Sequence, residues 1–198
     1  MVDGRKARGE ATRERLVAAA RQLFGERDYE ATSIEAVLET SGVTRGALYH
    51  HFQSKAELFD AVLAEVLIEI ADRTAAAARG SKDPLERLRA GSHAWLQMAL
   101  DPAVQRIALV DPTTAVGWAR WRELDEQHSL GGLRGSMLRL AKEGRIPPGE
   151  AELLAHMLLA ALNEAALFLT YADDQRAAAD TARAAIDTLL DRLCGLNR

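Results

Sequence analysis

Apolar residues recur along most of the chain at spacings of three and four, which is the pattern of amphipathic helices. In the first such segment, about Glu10 to Arg27, one face carries Leu16, Ala20, Leu23 and Phe24. No segment alternates apolar and polar residues in the way a half-buried strand does. The pattern therefore predicts an all-α protein.

Capping and turn residues set the next boundaries. The segment Thr32-Ser33-Ile34-Glu35 has the form of a capping box, which predicts that Thr32 caps a second helix ending near Ser41. Gly42 suits a tight turn because it tolerates a positive φ. Thr44 can then cap a short third helix that runs through about His51.

A second capping box, Ser54-Lys55-Ala56-Glu57, predicts the start of a long fourth helix with an unbroken apolar stripe. Later helix starts are indicated by Asp-Pro pairs, since Asp caps the first turn and Pro fits the first helical position. About nine helices are expected in all. The remaining boundaries are Asp83-Pro84, Asp101-Pro102 and Asp111-Pro112 as starts, a penultimate helix of about Glu150 to Tyr171, and a last helix of about Asp174 to Leu193.

Composition agrees with a helical fold, because 37 of the 198 residues are Ala and only five are Pro. The net charge of −4 argues against a nucleic-acid partner when it is taken over the whole chain. Its distribution changes the picture: residues 1–55 carry nine basic and eight acidic groups, and the 17 residues from Thr40 to Ala56 include no Asp or Glu. A phosphate backbone meets this local charge rather than the total.

Other classes of protein are disfavoured. The single Cys194 cannot form an internal disulfide, no His, Cys and carboxylate set has metal-ligand spacing, and we expect no cofactor. The apolar stretch from Leu153 to Ala172 contains Asn163 and Glu164, which favours a helix buried between protein surfaces over a membrane span. The charged N-terminus lacks the apolar core of a secretion signal, so a cytoplasmic location is expected.

A helix-turn-helix at about residues 33–52 fits this acid-free window, since a recognition helix in the major groove needs donors and no acidic charge. The stretch from Ala31 to Phe59, with Gly42-Val43, Gly46, Leu48-Tyr49-His50-His51-Phe52 and Lys55, closely resembles the DNA-binding domain of TetR-family transcriptional regulators. The resemblance implies a flexible basic arm at residues 1–8, a DNA-binding domain at residues 9–69, and a helical ligand-binding and dimerisation domain at residues 70–198.

The resemblance also implies roles for individual residues. Arg45 is the expected base reader, although it can equally hold a phosphate. Glu35 departs from a position where some family members carry a base-reading Arg, and we expect it to pair with Thr32 in the capping box instead. Arg5, Lys6 and Arg8 either contact the DNA or form a solvated tail. The expected DNA-binding residues are Ser33 and Lys55 at phosphates, and Thr44, Arg45, Gly46, Tyr49 and His50 on the recognition helix.

In the second domain, the family resemblance implies a site for a small apolar or amphipathic ligand. Trp and Met line such pockets, but at helical spacing they are also ordinary core residues, and a lone His is often a satisfied buried group. The candidates are Trp95, Met98, Trp118, Trp121, His128, His156 and Asn163.

The stretch from Leu153 to Ala172 is apolar nearly all round, and the last helix adds Ala184, Ala185, Leu189, Leu190 and Leu193. This predicts a homodimer through a four-helix interface rather than a monomer with a large core. The resulting hypothesis is a homodimeric repressor that a small molecule releases from operator DNA. Two alternatives remain open: a helical small-molecule carrier or enzyme that has kept the fold, and an architectural DNA-binding protein without a ligand.

Overall fold

The computed structural model of the chain describes residues 2–194, with side chains from residue 7 onward. Within that range it contains ten α-helices and no strand, which confirms the all-α prediction. A π-helical turn (Arg106–Val110) lies between α6 and α7, and a 3-10 turn (Pro148–Glu150) precedes α9. The α-helices are α1 (Val2–Arg27), α2 (Ile34–Ser41), α3 (Arg45–His51), α4 (Lys55–Ala78), α5 (Pro84–Met98), α6 (Pro102–Gln105), α7 (Pro112–Ala115), α8 (Trp118–Lys142), α9 (Ala151–Thr170) and α10 (Gln175–Leu193).

Helix α1 begins at Val2 rather than near Glu10, so the segment expected to be an arm is helical in this structure. The segment contains no Pro, and its Arg, Lys and Ala residues are good helix formers. The side chains of Arg5 and Lys6 lie outside the described residues, so their expected contact with DNA stays a prediction.

The start of α2 differs from the predicted capping box. Ser33 is the N-cap, and its Oγ accepts a hydrogen bond from the Ala36 N–H at 3.1 Å. Thr32 is instead buried, and its hydroxyl donates to the Asp28 carbonyl at 2.7 Å. The prediction that Thr32 caps the helix with Glu35 as its partner was therefore wrong, because burial turns Thr32 towards the end of α1.

The core that supports α3 comes from the apolar stripes of α1 and α4. Phe24 and Phe59 pack edge to face with ring centroids 5.1 Å apart, and both are fully buried. Leu48 is the buried anchor of α3. Between α2 and α3, Gly42 adopts φ 63°, as predicted, and its N–H donates to the Leu38 carbonyl. This turn fixes the angle between the two helices.

Helices α5 to α10 form the second body around α4. Pro148–Thr170 is the one segment within residues 2–194 that is long and apolar enough to cross a membrane by length and composition. Its helix, α9, packs against α8, α10 and α5 in this structure. Asp83 and Asp101 cap their helices as expected, and Asp174 caps α10, close to the predicted start of the last helix. Asp111 does not cap α7.

Candidate DNA-binding surface and ligand cavity

Helix α3 is short, exposed on one side and held on the other by Leu48. Thr44 caps it, with its Oγ1 accepting from the Ala47 N–H at 3.3 Å. The side chains of Arg45, Tyr49 and His50 are exposed, and so is Gly46. The geometry thus brings Arg45, Gly46, Tyr49 and His50 onto one helix, with exposed donors and with the N-terminus of α2 nearby.

Gly46 leaves the surface open at the centre of this helix. A Cβ placed there would meet no other described atom within 4 Å. Internal packing therefore does not require a glycine at this position. The absence of a side chain instead lets an external surface approach the α3 backbone.

Glu35 lies outside the acid-free stretch from Thr40 to Ala56, but folding brings its carboxylate next to α3. One of its carboxylate oxygens, Oε1, accepts a hydrogen bond from Arg45 Nη2 at 2.5 Å, and both side chains are exposed. The bond from Arg45 holds the pKa of Glu35 below its ordinary value. Folding brings these residues together although they are ten positions apart, because α2 and α3 meet at the Gly42 turn.

The side chain of Lys55, which was expected to contact a phosphate, is bonded within the domain. Its Nζ donates to the carbonyl oxygens of Tyr29 at 2.8 Å and Thr32 at 3.1 Å, and it lies 4.2 Å from the centroid of the Tyr29 ring. The ammonium therefore ties the start of α4 to the loop after α1. Its role at phosphate stays a prediction.

The second body encloses a cavity of about 340 Å³. This volume is in the range of pockets for small organic molecules. The walls come from α4, α5, α8, α9 and the π-helical turn. Most of the lining is apolar, including Leu67, Ile70, Leu88, Leu109 and Leu159.

Three of the predicted ligand residues line this cavity: Trp95, His128 and Asn163. Trp95 is anchored because its Nε1–H donates to the Leu162 carbonyl at 3.1 Å. Asn163 Nδ2 donates to Asp125 Oδ2 at 2.7 Å. These positions agree with a ligand site, and contact with a ligand stays a prediction.

The structure places the other four predicted residues outside the cavity. Met98 is buried elsewhere in the core, and Trp121 is held by its Nε1–H bond to the Ala108 carbonyl at 3.0 Å. Trp118 is largely exposed at the start of α8. His156 faces Glu126 and Glu152 at 3.6 and 3.4 Å. Aromatic and polar residue types alone do not identify which helix face meets the cavity.

The polar cavity residues that were missed from the sequence include Asp125, Ser92 and Arg87. Asp125 is only 4% exposed, and burial raises the pKa of its carboxyl despite the bonds from Asn163 and Ser129. Ser92 Oγ and Arg87 Nε are buried without a hydrogen-bond partner among the described residues. Asp125 had a detectable signal, because it follows the apolar positions Trp121 and Leu124 at helical spacing on α8.

Helix α4 and the π-helical turn connect the cavity with α1–α3. The first half of α4 packs in the core beside Phe24, and its second half lines the cavity. In the turn, Ala108 and Leu109 line the cavity, while Arg106 Nη1 donates to the Gly25 and Glu26 carbonyls. Helix α4 and the π-helical turn thus contribute both to the cavity walls and to the contacts with α1–α3.

Asp111, at the end of that turn, makes a second link. Its Oδ2 accepts from the Tyr29 N–H at 2.8 Å, which explains why it does not cap α7. Farther along α4, Arg120 Nε on α8 donates to Asp60 Oδ1 at 2.7 Å. These polar contacts join the loop after α1, and α4 itself, to the second body.

An apolar stripe remains exposed on α9. Leu153, Met157, Phe168 and Tyr171 lie at spacings that share one helix face, and they are 63, 58, 52 and 74% exposed. Leu189 of α10 is also partly exposed. The exposed Glu164 lies on the same face between Met157 and Phe168, so the stripe has two apolar patches, and exposed apolar patches are typical of a protein interface.

The family models for two domains match this chain. The "Bacterial regulatory proteins, tetR family" model matches residues 16–62, and the "Tetracyclin repressor-like, C-terminal domain" model matches residues 85–193. The two matches fall on α1–α4 and on the second body. Together they span more than half of the chain.

Comparisons with individual proteins point to the same family as the two family models. A TetR-family transcriptional regulator from Pectobacterium atrosepticum has a crystal structure with a TM-score of 0.82 and 33% identity, covering 95% of this chain and 96% of that one. The transposon Tn10 TetC protein of Escherichia coli is 26% identical over 148 residues, 75% of each chain. The HTH-type transcriptional regulator TtgR of Pseudomonas putida is 36% identical over 111 residues, 54% of this chain and 52% of that protein. This chain belongs to the TetR family of transcriptional regulators, which are DNA-binding proteins rather than enzymes.

Proposed function

We propose that the protein is a homodimeric repressor that binds operator DNA through α3 and is released by a small molecule bound in the second body. Residues 9–69 would bind the DNA, and residues 70–198 would bind the ligand and form the dimer. The protein would act in the cytoplasm, where its operator lies. The observation that carries this proposal is the position of α4, whose first half packs in the core beneath α3 and whose second half lines the cavity.

The DNA-binding part rests on the exposed donors of α3. Arg45 can donate two hydrogen bonds to a guanine edge once it leaves Glu35 or shares its guanidinium with it. Tyr49 and His50 flank it as contacts to the backbone or to a thymine methyl group. Thr44 lies at the N-terminus of α3 and Ser33 at that of α2, where backbone N–H groups and a hydroxyl suit phosphate oxygens.

The dimer rests on the exposed stripe of α9 and the adjoining face of α10. Two copies related by a two-fold axis would bury these faces in a four-helix interface. The same axis would place the two α3 helices on successive major grooves, about one helical turn of DNA apart. A shift of α4 by a few ångströms changes that separation and weakens DNA binding.

The test uses the full-length protein and a random duplex library, from which bound sequences are selected and sequenced. We expect a two-fold symmetric site, and we expect its affinity to exceed that of unrelated DNA by at least about a thousandfold at physiological salt. Enrichment of no sequence, together with no retardation of DNA at low salt, would exclude the regulator.

A further inference from the structure

We infer that the cavity takes a small apolar molecule that carries a protonated amine, with the amine placed against Asp125. This inference deepens the proposed function, because it assigns a chemical class to the ligand of the same cavity. It follows from the charges that line the cavity and from the polar atoms that its walls leave without partners.

Asp125 is a buried carboxylate without a cation. It forms no ion pair with any residue in the described part of the chain, and its polar contacts come from Asn163 and Ser129. The nearest arginine along its own helix, Arg122, donates to Glu126 at 2.7 Å. A carboxylate taken out of water needs a compensating charge, and burial accordingly raises its pKa.

The polar groups of the cavity are arranged along α5, which gives the cavity two distinct ends. Trp95 bonds to Leu162, the neighbour of Asn163, so Trp95 lies at the Asp125 end. Arg87 is eight residues earlier on α5, roughly 12 Å away along a helix axis. Ser92 lies between them.

These positions assign an orientation to the ligand. The amine would lie at the Asp125 end, and the apolar body would follow the leucine side chains of α4 and α5. An acceptor oxygen at the far end would satisfy Ser92 Oγ or Arg87 Nε, which are the buried donors of the cavity lining that have no partner in the described structure. Arg87 also disfavours the reversed orientation, because its guanidinium repels an amine.

The charge balance favours a cation over a neutral or anionic molecule. Apart from the imidazole of His128, the ionisable groups that line the cavity are two carboxylates, Asp72 and Asp125, and one guanidinium, that of Arg87. A neutral molecule of the same shape would leave the buried carboxylate uncompensated. An anion would add repulsion at Asp125.

The test compares three probes of one shape on the full-length protein at pH 7.5: 4-phenylbutylamine, 4-phenylbutan-1-ol and 4-phenylbutanoate. We expect the amine to bind at least tenfold more tightly than the alcohol by calorimetry, and to raise the melting temperature the most. The butanoate should bind most weakly. Equal binding of amine and alcohol, or no binding of any probe at millimolar concentration, would overturn the inference.

Two variants locate the amine. Asp125→Asn keeps the shape and the bond from Asn163, and should reduce amine binding at least tenfold while leaving alcohol binding within about twofold. Asp72→Asn, which changes an exposed carboxylate of the same cavity, is the matched control and should alter the amine affinity less than threefold. Unchanged amine binding by Asp125→Asn would overturn the placement of the amine against Asp125. The comparison of the three probes uses the wild-type protein, so it holds even if this variant does not fold.

These measurements use no DNA, so they are independent of the regulator proposal. Selective amine binding without operator binding would refute the repressor and leave the amine site intact. Operator binding without amine selectivity would refute the amine site and leave the repressor proposal intact.

Discussion

Arg45 Nη2 lies 2.5 Å from Glu35 Oε1, so the one arginine of the recognition helix is bonded to a carboxylate of the preceding helix. The pair is exposed and faces the side where DNA would dock. Glu35 can hold the guanidinium in a fixed orientation, and its second oxygen can accept from a cytosine amino group. The proposed guanine contact of Arg45 would therefore lie beside an acidic neighbour that disfavours phosphate.

Arg45→Ala should weaken binding to the selected operator by roughly tenfold or more and flatten the sequence preference. The reason is that a base contact is lost while phosphate contacts remain. Binding isotherms on operator and unrelated duplexes measure both effects. An equal loss on both duplexes would show that Arg45 contacts phosphate only.

Glu35→Gln should increase affinity for unrelated DNA and narrow the difference between specific and unrelated sequences. The substitution removes a negative charge near the phosphates and loosens the Arg45 side chain. Glu39→Gln is the matched control, since Glu39 is exposed on the same helix and Arg45 is bonded to Glu35 instead. Unchanged specificity in Glu35→Gln would contradict a role in base reading.

Ser33 is expected to serve both as a helix cap and as a phosphate contact, and two substitutions separate these roles. Ser33→Ala removes the cap and should lower the free energy of unfolding by about 1 kcal/mol. Ser33→Asp retains a good capping group but adds a charge, so stability should be nearly unchanged while DNA affinity falls. Chemical denaturation and DNA titration measure the two properties. Wild-type DNA affinity in Ser33→Asp would rule out a phosphate contact at this position.

Lys55→Met should lower the free energy of unfolding by about 1–3 kcal/mol, because the carbonyl oxygens of Tyr29 and Thr32 lose a charged donor. Urea unfolding checks this, with the exposed Lys82→Met as control. If Lys55 also contacts phosphate, the slope of log affinity against log salt should fall by about one. Wild-type stability would show that the internal bonds of Lys55 contribute little.

Phe168→Glu should convert the dimer into a monomer, because it places a charge in the apolar stripe of α9. Light scattering after gel filtration should then give the chain mass of 21.6 kDa instead of twice that value. Ile68→Glu, at an exposed apolar residue of α4, is the control and should stay dimeric. A dimeric Phe168→Glu protein would place the interface elsewhere.

Asp125→Asn should stabilise the ligand-free protein at pH 7.5. Burial raises the folded-state pKa of Asp125 above its ordinary 3.8, so the folded state binds its proton more strongly than the unfolded state does. The wild type therefore loses stability as pH rises from 3.8 through the folded-state pKa, and the asparagine variant lacks this loss. Urea midpoints at pH 7.5 and 4.5 should show a larger gain at the higher pH. A gain that is independent of pH would contradict the assignment.

The sequence predicted the helices well where caps and breakers were explicit, as at Thr44, Ser54 and Asp174. It failed where tertiary contacts redirected a capping side chain. Thr32 is drawn into the core and Asp111 bonds to the Tyr29 amide, and neither neighbour is visible in local sequence. The family motif identified the exposed face of α3 but not the Glu35–Arg45 pair, which depends on the angle at Gly42.

The cavity was less predictable than the recognition helix. Trp95, His128 and Asn163 were selected by residue type and do line it, whereas Trp118 and His156 were selected on the same grounds and do not. Which face of a long helix meets a cavity depends on the packing of several distant helices. The buried Asp125 interrupts an apolar stripe, and that pattern is a better signal than aromatic content.

The most direct test of the central claim is the affinity of the full-length protein for its selected duplex, measured by fluorescence anisotropy at fixed physiological salt with and without 4-phenylbutylamine. The account predicts one dimer per duplex, binding at least about a thousandfold tighter than to unrelated DNA, and release when the amine is added. Equal affinity for both duplexes, or an operator complex that a bound amine leaves unchanged, would contradict it.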